Sequence, residues 1–105
     1  MMGLYVVSVE ARPLPGTDAA VTYAGAFINV YTTGPSESAA REIASREITE
    51  AGWSTTLVSK VAFVTREDFC DDSDGLAYFE QALVDGIVVV VHTYSDELDK
   101  GDVVH

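Results

Sequence analysis

The chain has 105 residues, 48% of them hydrophobic and 22% charged, the size and make-up of one globular domain with one modest core. Seventeen Asp and Glu against six Lys and Arg leave a net charge of −11, a field that repels nucleic acid and anionic membrane and attracts basic partners or cations. Plain solubility is the other use of such a charge.

One cysteine, Cys70, leaves no internal disulfide to form and fits a reducing compartment. The opening Met1 to Tyr5 lacks the charged segment and cleavage site of a secretory signal. The longest apolar run, Ile87 to Val91, is far short of the ~20 residues a membrane helix needs. A cytoplasmic address is the expectation.

Residues 4 to 11 are rich in valine and read as a strand, ended by Pro13, Pro15 and Gly16. Tyr23 to Thr33 reads as a second strand, with Ala26, Ile28 and Val30 on one face and Phe27, Asn29 and Tyr31 on the other. Gly25 within it signals a bulge or a close backbone approach. A helix follows from Pro35 to Ala51, capped by Ser36 and Glu37, with Ala40, Ile43, Ala44, Ile48 and Ala51 as its apolar stripe. Gly52 is placed for a left-handed cap, and Trp53 for folding back on Ile48.

Thr55 to Val64 reads as a third strand, with Leu57, Val61 and Phe63 on one side and Val58, Ala62 and Val64 on the other. After an acidic loop, Ser73 or Asp72 caps a second helix whose Leu76, Phe79 and Leu83 share a face, and Gly86 ends it. Ile87 to Val91 is a strand without polar alternation. The single domain spans residues 1–95, and 96–105 form a charged tail expected to fray.

The order ββαβαβ predicts an α+β fold: a two-layer sandwich with a four-stranded, mainly antiparallel sheet and both helices on one face. It resembles the small ferredoxin-like and related α+β sandwiches, a likeness of shape that selects no function. The strands carry apolar residues on both faces, so an uncovered sheet face is expected, shared in a homodimer through Ile87, Val89 and Val91 or covered by a partner. The alternative cover is the loop from Pro13 to Thr22.

Little in the sequence announces chemistry. The loop from Arg66 to Gly75 places Asp72, Asp74 and Gly75 as in a calcium loop, but its first and last ligand positions fall on Cys70 and Gln81, so no metal site is expected. Acidic neighbours weaken Cys70 as a nucleophile. His92, at the end of the last strand, is the one candidate general base. No cofactor motif is present.

Two functions follow as expectations. The first is a non-catalytic protein-binding or inhibitor- or immunity-like module. Its acidic residues Asp71, Asp72 and Asp74 in the loop, or Asp96, Glu97 and Asp99 in the tail, would dock a basic partner. The second is a small dimeric enzyme or ligand sensor with a cleft near His92.

Overall fold

The computed structural model describes residues 3–16 and 23–94. Its elements are β1 (Gly3–Pro13), β2 (Gly25–Thr32), α1 (Glu37–Glu50), β3 (Trp53–Thr65), a 3-10 turn (Arg66–Phe69), α2 (Ser73–Asp85) and β4 (Ile87–Tyr94). The four strands pair antiparallel throughout, in the order β3-β1-β2-β4. Residues 17–22 and 95–105 lie outside the described residues, and with them most of the loop expected as a cover and the tail acids Asp96, Glu97 and Asp99.

Each helix boundary has a local cause. Ser36 caps α1, its Oγ accepting from the Ala39 N–H at 3.2 Å, and Asp72 caps α2, its Oδ1 accepting from the Gly75 N–H at 2.9 Å. At the far ends, Gly52 and Gly86 take φ of 95° and 89°, the left-handed conformation that stops a helix with little penalty only at glycine. Trp53 then opens β3, buried in the same cluster as Ile48.

The two helices cover opposite faces of the sheet, which corrects the expected two-layer sandwich. Val7, Val9 and Ala11 of β1 and Ala26, Ile28 and Val30 of β2 pack with Ala40, Ala44 and Ile48 of α1. Residues of the other parity, Leu4 of β1 and Tyr31 of β2, pack with Phe79 and Ala82 of α2, joined by Val6, Val64, Val88 and Val90. Strands apolar on both sides are thus covered on both sides, in three layers. The β-α-β-β-α-β order of ferredoxin-like folds is also not the order here, because β1 and β2 adjoin in sequence before the first helix.

The connections explain the split. β2 and β3 run parallel with β1 between them, so α1 is a crossover that travels the length of the strands. β3 ends beside Leu4, and β4 begins opposite Thr32, which itself faces Tyr5. Both points lie at one end of the sheet, so α2 has only the width to cross. Its 13 residues span about 20 Å, against roughly 14 Å for three inter-strand gaps. A transverse helix at one end leaves the other half of its face open.

β3 departs from simple alternation. Its 13 residues face the 11 of β1, with register shifts opposite Ser8/Val9 and Glu10/Ala11. The surplus residues Ser59 and Thr56 donate their hydroxyls to the carbonyls of Ser8 and Glu10, at 3.0 and 3.1 Å. Leu57 therefore pairs with Glu10 and Val58 with Val9, exchanging the sides that strict alternation assigns them. No described helix is long and apolar enough to cross a membrane.

Candidate functional site

On the α2 face, the ladder aligns residues in rows across β3, β1, β2 and β4. Ala62, Val6, Tyr31 and Val88 form one row, Lys60, Ser8, Asn29 and Val90 the next, and Leu57, Glu10, Phe27 and His92 the third. The first row lies by α2. The second begins to carry polar groups, and the third faces solvent, with Phe27 51% and Leu57 53% exposed.

The open half has an aromatic centre. Phe27 and Tyr94 stand with ring centroids 5.3 Å apart and planes inclined by 32°. Gly25, opposite Tyr94, makes room for this pair: a Cβ there would lie 2.6 Å from the Tyr94 hydroxyl and 2.9 Å from the Ala11 carbonyl. The glycine in β2 marks a close approach, one of the two readings its position allows. Beside the rings, Ser8 donates its hydroxyl to Asn29 Oδ1 at 2.7 Å, and the Arg12 guanidinium donates to the Ala24 carbonyl at 3.3 Å.

A cleft of about 160 Å³ sits where the open half meets the 3-10 turn. Val6, Ala62 and Val64 line it with Tyr31 and Phe69, and Ser8 and Lys60 complete it. Tyr31 and Phe69 are 6.1 Å apart, and Phe69 and Phe79 are 5.5 Å apart. Burial raises the Tyr31 phenol above its ordinary pKa, with the nearby Asp72 carboxylate and then Tyr78 adding to the shift. Lys60 makes no ion pair among the described residues. Arg66, by contrast, reaches Glu80 at 2.8 Å and ties the turn to α2.

The residues singled out from sequence fall in three places. His92 is exposed on the edge strand β4, opposite Phe27; it does not line the cleft, which opens over β1 and β3. Asp71, Asp72 and Asp74 follow Glu67 and Asp68 along the chain where the 3-10 turn leads into α2, Asp72 being engaged as the cap. Ile87, Val89 and Val91 lie on the α1 face of β4. Ile87 packs on the core, while Val89 and Val91 are 36% and 38% exposed.

Asp68 is also engaged, its Oδ2 accepting from the Thr65 N–H at 2.8 Å. No three His, Cys, Asp or Glu side chains gather for a metal ion among the described residues. Cys70 is a free, exposed thiol.

The sequence reading overlooked Ser8, Glu10 and Lys60. Ser8 and Glu10 interrupt a valine-rich strand at alternate positions, a period-2 polar signal on one face. Lys60 carried no such sign, because its row is set by the long-range pairing of β3 with β1, which places it opposite Ser8. The chain matches no family model, no curated protein and no solved structure.

Proposed function

We propose that the chain is a non-catalytic protein-binding module, inhibitor- or immunity-like in mode, whose contact surface is the open half of the α2 face. The observation that carries this reading is the Phe27–Tyr94 pair on a four-stranded sheet, with Phe27 exposed alongside Leu57 and Tyr94 half-buried beside it. Aromatic side chains presented on fixed backbone bury area at little conformational cost, which is how binding hot spots are built.

A basic partner fits best. Glu10 stands between Leu57 and Phe27 in the third row, so an arginine inserted there meets a carboxylate and an aromatic ring together. The acidic corner at Asp71 and Asp74, within a chain of net charge −11, supplies long-range attraction that speeds encounter. His92, at the end of the same row, serves as a rim contact in this reading.

The test is kinetic. Association with a captured basic partner should slow steeply with added salt, as the screening length shrinks from about 30 Å at 0.01 M to about 8 Å at 0.15 M. Phe27→Ala with Leu57→Ala should raise the dissociation rate, and Asp71→Asn with Asp74→Asn should lower only the association rate. Unchanged dissociation in the first variant sinks the proposal. So does a small molecule that raises the melting temperature of the parent but not of His92→Ala.

A further inference from the structure

The two edges of the sheet are built differently. β3 carries two bulges and the charged Lys60, devices that discourage another strand from adding to an edge. β4 has neither. Its eight residues, Ile87 to Tyr94, include no Lys, Arg, Asp, Glu, Pro or Gly, and its register with β2 runs unshifted from Thr32 to Gly25. Among the described residues it pairs on one side only.

We propose that β4 is the self-association edge of this protein, pairing antiparallel with β4 of a second copy to make one continuous eight-stranded sheet. Charge selects the occupant. Two chains of net charge −11 repel one another, and β4 is a stretch along which they can meet with no carboxylate facing the join. A basic partner would gain nothing from a strand without acidic side chains.

Symmetry supports the same occupant. An antiparallel pair of identical strands is closed by a two-fold axis perpendicular to the sheet, so the assembly stops at two copies. That axis keeps both α1 helices on one side, where Val89 and Val91 of each copy become cross-strand neighbours and lose their exposure. The edge join leaves Phe27, Glu10 and Leu57 free, while Tyr94 and His92, on the other face of β4, border both the join and the proposed partner surface.

Sedimentation equilibrium from micromolar to millimolar chain, at low and high salt, tests this directly. The expected result is a shift toward twice the chain mass that strengthens as salt rises, opposite in sign to the docking of a basic partner. Val89→Lys with Val91→Lys should restore the single-chain mass, because like charges then face each other across the join. Phe63→Lys, at an exposed position on the other edge and outside the proposed partner surface, should leave association intact.

A single-chain mass under every condition overturns the proposal, as does a Val89/Val91 variant that associates as well as the parent. Should that variant fail to fold, hydrogen exchange on the parent decides. Protection of the Ile87–Tyr94 amides that grows with concentration supports the join, and protection independent of concentration overturns it.

Discussion

The Ser8 hydroxyl donates to Asn29 Oδ1 at 2.7 Å across the β1–β2 ladder, a polar pair set in the middle of a largely apolar sheet. Both residues are half-buried. Removing one partner strands the other, so Ser8→Ala should cost about 1 kcal/mol. Replacing both by valine should be near neutral or stabilising, since valine suits the pleated surface and nothing is left unpaired. Urea unfolding of the single and double variants checks this. A double variant less stable than the single one would show that the pair supports the fold and is not kept for the open face.

Gly86→Ala should cost about 1–2 kcal/mol, because φ of 89° places a Cβ against the following carbonyl. Space is not the obstacle: the added Cβ would find only Thr33 Oγ1, at 3.8 Å. Gly86→Asn should recover part of the loss, as asparagine tolerates this conformation better. Denaturation midpoints for the two variants give the comparison. Equal midpoints for Gly86→Ala and the parent would contradict the cap.

Stability should also fall in alkali through Tyr31. Its phenol is raised above the ordinary 10.0, chiefly by burial and further by Asp72. The unfolded chain then loses this proton at a lower pH than the folded chain does. The contribution is therefore complete below about pH 10 and declines as pH rises through the folded value. Tyr31→Phe should flatten the dependence of unfolding free energy on pH in that range. An unchanged slope would mean that Tyr31 is not the titrating group.

The parts of the fold that could be read from sequence are those set by near neighbours. Ala26, Ile28 and Val30 alternate with Phe27, Asn29 and Tyr31 without interruption, and the two faces of β2 are as that period requires. Ser36, Asp72, Gly52 and Gly86 mark the helix ends through interactions reaching only three or four residues. The side of the sheet taken by each helix is a different kind of fact. It follows from where β3 ends and β4 begins, which is known only once the strands are ordered.

The open half of the α2 face was legible in fragments. Phe27 and Asn29 could be placed on one side of β2, but nothing in their neighbourhood says that Glu10 and Leu57 join them. That alignment depends on long-range pairing and on the slips in β3. Leu57 was assigned to the wrong side for the same reason.

Those slips give β3 slack in its length. One surplus residue turns a strand over, and the second, three positions away at Thr56, turns it back, so Trp53 reaches the α1 layer that its burial requires. Deleting Ser59 alone would heal the first bulge: Val58 would follow Lys60 directly, still opposite Val9, and the stretch from Trp53 to Val58 would keep its facing. A residue lost between Lys60 and Thr65 would be taken up at the same point, and only the residues between the loss and the bulge would change sides. The strand thus carries two spare residues that absorb a change of length locally, a tolerance that no residue's identity reveals.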